Sequence, residues 1–403
     1  MKFDATTYKI TDSGKIGTIA LVLGIVFLGI SVLGYMNDQA HFYLNYLTAY
    51  IFWLSIALGG MFITMIHHVT NASWSTVIRR ITENMAGTMP VFVILFIPVI
   101  FGTHDLFHWS HAEVMDPGSD KFDALLYEKV GYLNPTFFYI RAVFYLTVWT
   151  FFSYMLRKKS IQQDSTGADY ALPYKKLSAP GLILFAITTT FASFDWMMSL
   201  DAHWFSTIFG VYFFSGVFLS GLTFLLILLI YLRSKKILHD VVSIEHYQDI
   251  AKFIFAFIIF WSYMAFSQYF LIWYANLPEE NFWFLYRWDN SWQALSLLVI
   301  FGHFVFPFLA LITRAAKRSV PFLLFMSVWI ILMRLVDLYW IIMPTGLAED
   351  GTRVQFAVQM YDIAPLIGIG GIFFWFFWKQ LTAHALIPVK DANLDSSMKF
   401  QNT

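Results

Sequence analysis

Arg334 and Asp337 stand three residues apart within an apolar run at 319–343, where one helix face would let a guanidinium and a carboxylate meet. A pair of this kind can organise neighbouring helices or take part in moving a proton. If the run crosses a membrane outward from Ser319, Arg334 lies about 22 Å along it at about 1.5 Å per residue. Both residues then belong to the outer third of the bilayer, deeper than an interfacial side chain normally sits. Other ionisable residues reach a similar level. His104 and Asp105 end the third apolar run, Arg141 opens the fourth, and Asp195 nears the outer end of the fifth. Together with His303, the only His near the middle of a run, these are the candidates for proton transfer. Asp201, Asp289 and Asp362 also occupy outer turns, where snorkelling or pairing with a neighbour accounts for them. A membrane haem would need two axial ligands at matched depth. His67 and His68 lie at the inner end of the second run and His384 beyond the tenth, so none matches His303.

The elements that must position these residues are ten apolar stretches, at 16–34, 45–67, 88–103, 136–156, 177–198, 206–232, 248–274, 292–313, 319–343 and 361–382. Most hold about 20 largely apolar residues, which is what a helix needs to cross a hydrocarbon core of about 30 Å. A composition of 58% hydrophobic and 13% charged residues places the chain outside the range of soluble domains. Of the 26 Lys and Arg, 20 fall on the side bearing both termini, five on the other, and Arg334 within a run. Positive charge collects in the cytoplasm, so both termini are expected there. The first run follows a polar stretch without a cleavage site and is expected to be a retained helix. The expected fold is therefore an all-α integral membrane protein with ten transmembrane helices, forming a single polytopic domain over 1–403.

A formal charge of zero argues against nucleic acid as a partner. The absence of Cys from the sequence excludes disulfides, a cysteine-held iron–sulfur cluster and thioether attachment of haem c in this chain. No phosphate-binding glycine loop, nucleophile elbow or metal-ligand spacing stands out. The connection at 104–135 is long, acidic and His-bearing, and forms an outer cap. The polar tail from 388 is expected to be poorly ordered unless a partner holds it. Glu83 is expected in a cytoplasmic loop. Aromatic residues crowd the end of the seventh run, from Trp261 to Trp292. They suit either an interfacial belt or the flat walls of a quinone slot. Runs two and six echo each other, leading from aromatics into Gly59-Gly60 and Ser215-Gly216. Either duplication or the common use of small residues at helix contacts explains the echo.

Three longer strings carry a resemblance: FDWMMSLDAHWFSTIFGVYFF from Phe194 to Phe214, IHHVTNASWSTVIRR from Ile66 to Arg80, and WYANLPEE from Trp273 to Glu280. With them the chain resembles, over essentially its full length, the F-type subunit of bacterial alternative complex III, one of the NrfD/PsrC-like membrane proteins. The resemblance implies two four-helix bundles, spans 2–5 (45–198) and 6–9 (206–343). They are flanked by span 1 with the N-terminal tail (1–34) and span 10 with the polar tail (361–403). It also implies a place in the bacterial cytoplasmic membrane within a quinol:cytochrome c or quinol:oxidase oxidoreductase. Iron–sulfur clusters and haem c would reside in partner subunits, beside a second NrfD-like subunit and a terminal oxidase. This chain would bind no cofactor beyond phospholipid and possible quinone, and would serve proton conduction or assembly. Alternatively, a quinol site lies in the outer membrane half, with His104 or Asp195 accepting protons. A third reading, a secondary transporter, would place substrate among broken helices. Here Pro98, Pro307 and Pro365 do not pair between the proposed halves.

Overall fold

In a hydrocarbon slab every backbone N–H and C=O must be satisfied within the protein, which leaves helices as the way for these apolar runs to cross. The computed structural model describes residues 6–11, 14–288, 290–346, 353–359 and 361–402, so Asp289 lies outside the described residues. It is 77% helix, with no strand among the described residues. Among the described residues, ten helices are long and apolar enough to span a membrane. They are span 1 (Ile16–Asn37), span 2 (Gln39–Thr70), span 3 (Thr76–Phe101), span 4 (Pro135–Thr166), span 5 (Ala171–Asp201), span 6 (Phe209–Ser234), span 7 (Ile244–Ala275), span 8 (Gln293–Leu311), span 9 (Val320–Thr345) and span 10 (Ile363–Ala383).

Span 2 packs against spans 3, 5, 6, 9 and 10. Span 4 lies on spans 3 and 5, and span 8 on spans 7 and 9, while span 1 packs chiefly on span 10. Small residues set the closest approaches. A Cβ on Gly59 would lie 2.6 Å from the Val217 carbonyl oxygen and 2.7 Å from Gly221 Cα, so spans 2 and 6 touch backbone to backbone. Such contact supplies the dispersion that holds helices together in lipid. The echoed small residues thus lie at the seams of these two spans. Gly60 faces Met85 and Thr82 of span 3, and Gly216 faces the Arg334 guanidinium.

Two spans are not regular. Span 3 is interrupted at Gly87-Thr88 and at Phe96, each followed by a proline two residues on, Pro90 and Pro98. Proline has no N–H to continue the ladder. At the second break Val99 N–H turns to the Phe96 carbonyl, 3.0 Å away, and Tyr46 Oη of span 2 donates to the Leu95 carbonyl at 2.8 Å. Span 8 widens into a π-helix over Val299–Val305, where Phe306 N–H bonds back to the Phe301 carbonyl. Pro307 cannot donate to the His303 carbonyl four residues back, which favours the wide turn. Trp329 Nε1 of span 9 donates to the Gly302 carbonyl at 2.8 Å.

The 104–135 connection is strapped to the turn between spans 5 and 6. Trp109 Nε1 donates to the Ser199 carbonyl at 3.2 Å and Lys129 Nζ to the Ala202 carbonyl at 2.6 Å. Asp123 caps the short helix Ala124–Glu128 and meets His203 Nε2 at 2.6 Å.

The C-terminal segment corrects the expectation of a poorly ordered tail. Leu386, Ile387, Leu394 and Ser397 are buried. Asp391 pairs with Arg79 of span 3 at 2.5 Å, and Ser397 Oγ donates to the Trp74 carbonyl at 2.6 Å. Asn402 Nδ2 reaches the Glu245 carbonyl of span 7 at 3.1 Å. The tail therefore clasps the ends of spans 3 and 7. Leu386 N–H donates to the Tyr8 carbonyl at 2.8 Å, bringing an N-terminal segment to the same end.

Burial opposes ionisation of Asp391, but Arg79, the Asn393 N–H and His67 outweigh it and hold the carboxyl below its usual range. A lowered folded pKa stabilises the docked state fully above the unfolded value of about 3.9, and that stabilisation is lost as pH falls through the folded value. Asp391→Asn should release the tail at neutral pH, read as rapid proteolysis beyond Ala385 while the spans stay protected. Unchanged protection would show that apolar burial alone docks it.

Candidate functional site

Near the end of span 5, Asp195 faces span 4. Its carboxylate accepts two bonds from Arg141, Nε at 2.8 Å and Nη2 at 3.0 Å, and a third from Tyr145 Oη at 2.8 Å. Arg141 Nη1 donates to the Tyr132 carbonyl at 2.8 Å, and the guanidinium lies over the Tyr132 ring at 3.9 Å. Both charged residues are buried, Asp195 at 1% exposure. The two-pronged geometry fits the guanidinium fork.

The second centre joins spans 6, 7, 8 and 9. Arg334 and Asp337, one turn apart on span 9, pair at 2.5 Å with both side chains at 0% exposure. Tyr212 Oη of span 6 donates to the other carboxylate oxygen. One turn further along span 6, Gly216 leaves the room that the guanidinium fills, and Phe213 places its ring 5.5 Å from Arg334 Cζ. Arg334 Nε and Nη2 meet no hydrogen-bond partner. Trp261 of span 7 lies 5.8 Å from the Tyr212 ring and stacks on His303 at 4.0 Å. His303 is fully buried on the π-helix with neither ring nitrogen hydrogen-bonded. Aromatic and ionisable groups thus run from the carboxylate toward the middle of span 8.

A cavity of about 490 Å³ reaches this centre from between spans 7 and 8, lined by Tyr212, Trp261, Ala265, Ser296, Arg287 and Trp340 among others. The helix Pro278–Trp288 closes one side of it. Arg287, 1% exposed, has no carboxylate partner among the described residues. It donates to the Trp283, Trp340 and Ile341 carbonyls at 2.7, 3.1 and 2.8 Å, and stacks on Trp283 at 3.4 Å. A desolvated cation beside apolar rings makes this a strongly asymmetric cavity.

The sequence-predicted layer divides. Arg141 with Asp195, and Arg334 with Asp337 and then His303, form two separate centres, and no described hydrogen bond joins them. His104 and Asp105 belong to neither. They follow Gly102 on the short helix Thr103–Leu106, where His104 is exposed and stacks on His111 at 4.0 Å. Asp105 accepts from Gln39 Nε2 at 3.2 Å. The interfacial aspartates are paired, Asp201 with Arg353 at 2.9 Å and Asp362 with His41 at 2.7 Å.

At the opposite end lies a buried cluster whose ion pairing the sequence reading missed. Glu83 belongs not to a loop but to span 3, which begins at Thr76 rather than 88. Its two oxygens meet Arg79 Nε at 3.0 Å and Arg80 Nε at 3.1 Å, with all three side chains at 2% exposure or less. Asp391 and Asp164 complete the pairing at 2.5 and 2.9 Å. His67 Nδ1 meets Ser75 Oγ at 2.6 Å, and His68 stacks on Tyr174 at 4.1 Å with Nε2 unpartnered. The i,i+4 and i,i+3 spacing of Arg79 and Arg80 to Glu83 was the available signal.

No protein-family model matches this chain, and no curated protein matches it.

Losing one partner of a buried ion pair strands the other charge, at about 3–5 kcal/mol. Arg141→Met should therefore lower thermal stability in detergent more than Arg141→Met with Asp195→Leu. A double variant at least as unstable as the single one would show that the pair is itself the stabilising element.

Proposed function

We propose that this chain is a membrane subunit of a respiratory quinol oxidoreductase of the alternative complex III type, serving proton conduction or assembly rather than electron transfer. The observation that carries the proposal is the Arg334–Asp337–Tyr212 centre, an ionisable group held out of water among four spans with Trp261 and His303 leading inward. Ionisable groups inside a membrane are costly and mark ion or proton routes. The strings that carry the family resemblance lie on chemistry-bearing parts. One includes Asp195 and Tyr212, another His67, His68, Arg79 and Arg80, and the third leads into the helix beside the cavity. A sequence without Cys suits a subunit whose partners hold the iron–sulfur clusters and haem c.

In this reading spans 2–5 and 6–9 are two four-helix bundles flanked by spans 1 and 10. Both termini face the cytoplasm of a bacterium, and the membrane is the cytoplasmic one. Each bundle carries one outer centre made of an aspartate, an arginine and a tyrosine: Asp195, Arg141 and Tyr145 in the first, Asp337, Arg334 and Tyr212 in the second. A second NrfD-like subunit, the redox subunits and a terminal oxidase are the partners in this reading.

The cavity of about 490 Å³ beside Tyr212 favours a second reading, a quinol site in the outer membrane half. Its aromatic walls suit a flat ring, and Tyr212 and Ser296 supply polar contacts.

The tagged chain, extracted from native membranes in mild detergent, should co-purify with an iron–sulfur subunit and show haem c bands in reduced-minus-oxidised spectra. A colourless chain that purifies alone would overturn the complex-subunit reading. Saturable binding of a quinol analogue to the isolated chain, lost in Ala265→Trp, would establish the second reading, and its absence would remove it.

A further inference from the structure

The first break in span 3 opens a groove of about 320 Å³ between spans 3, 4 and 10, at the end that carries the docked tail. Gly87 lies at its base. A side chain there would strike Gln380 of span 10 and come within 3.1 Å of Arg157 Cδ, so the glycine leaves room for both polar residues. Gln380 Nε2 donates to the Gly87 carbonyl at 2.6 Å, which anchors span 10 at the break.

The charge on the rim is unbalanced. Arg157 Nε donates to Asn84 Oδ1 at 3.0 Å and Nη2 to the Gln380 carbonyl at 3.4 Å, both neutral acceptors. Lys158 is exposed, with Nζ 5.6 Å from the Tyr154 ring centre. Among the described residues neither cation forms an ion pair with a carboxylate, and Glu83, the carboxylate that acts on Arg157, is shared by Arg79 and Arg80. Two side chains of the groove also hold buried polar atoms without partners. Ser153, only 2% exposed, has an unpaired Oγ, and Gln380 has an unpaired Oε1. Buried polar atoms in native proteins are normally hydrogen-bonded, so these two point to a ligand that offers both an acceptor and a donor. Pro90, Ile161 and Phe376 supply apolar walls, and Tyr154 is 58% exposed on the flank.

We propose that this groove binds the headgroup and glycerol region of an anionic glycerophospholipid. The phosphate takes charge-assisted hydrogen bonds from Arg157 and Lys158. Ser153 Oγ donates to an ester carbonyl, and a headgroup hydroxyl donates to Gln380 Oε1. The acyl chains leave along the apolar walls into the bilayer. A basic pocket between membrane helices near one interface is the expected form of such a site. A free phosphate would use the cations but leave the apolar walls and Ser153 unexplained. The site is separate from the proton centres and does not depend on the proposed function.

The test is native mass spectrometry of the full-length, delipidated chain titrated with phosphatidylglycerol or phosphatidylcholine of identical acyl chains. One phosphatidylglycerol should bind at least about tenfold more tightly than phosphatidylcholine, and Arg157→Gln with Lys158→Gln should remove most of that preference. Lys158→Gln alone alters an exposed side chain and should lower the preference without loss of folding. Ser153→Ala should weaken retention of both lipids. Equal retention of the two lipids, an unchanged preference in Lys158→Gln and the double variant, or full displacement by millimolar inorganic phosphate would each overturn the proposal.

Discussion

A charge inside a hydrocarbon slab has to find a counter-charge or backbone carbonyls within the protein, and much of this molecule is arranged around that requirement. Arg334 and Asp337 satisfy it on one helix, but only because span 6 supplies both a hydroxyl and a vacant volume. Tyr212 donates to the carboxylate, and Gly216, one turn on, leaves space for the guanidinium. Spans 6 and 9 are therefore held in one register. A shift of either would take the Tyr212 hydroxyl from the carboxylate and drive span 6 backbone into the guanidinium. Arg141 and Asp195 impose the same condition on spans 4 and 5, and Glu83 with Arg79 and Arg80 imposes it within span 3.

The irregular backbone lies beside these centres. The π-helix holding His303 follows from Pro307, and Trp329 takes up a carbonyl there. The breaks in span 3 follow the same logic. Tyr46 satisfies one released carbonyl, and the other break opens the groove at Gly87. Proline here trades helix regularity for room at depth, and side chains from neighbouring spans restore the lost hydrogen bonds.

The ten spans were legible because hydrophobicity over about 20 residues is a direct requirement of the bilayer. Arg334 and Asp337 were legible for the converse reason, since charges in such a run stand out. Span 3 was misjudged at its start because Arg79, Arg80 and Glu83 depress local hydropathy, although together with Asp391 and Asp164 they compensate one another. That compensation depends on a tail more than 300 residues away in sequence, which no local pattern announces. Tyr212 and Tyr145 gave no signal, because a hydroxyl aimed at a carboxylate has no sequence signature. Depth alone grouped His104 and Asp105 with the buried centres. Their separation follows from the turn at Gly102, which carries them onto the surface.

If the Asp337 centre moves protons, its carboxylate must matter to charge translocation more than to quinol oxidation. The most direct measurement is the membrane potential generated per quinol oxidised by the intact complex in sealed vesicles, compared between the native chain and Asp337→Asn. The account predicts continued quinol oxidation with a markedly smaller potential per turnover. An assembled Asp337→Asn complex with the native potential per turnover would contradict it and reduce the centre to a structural clasp between spans 6 and 9.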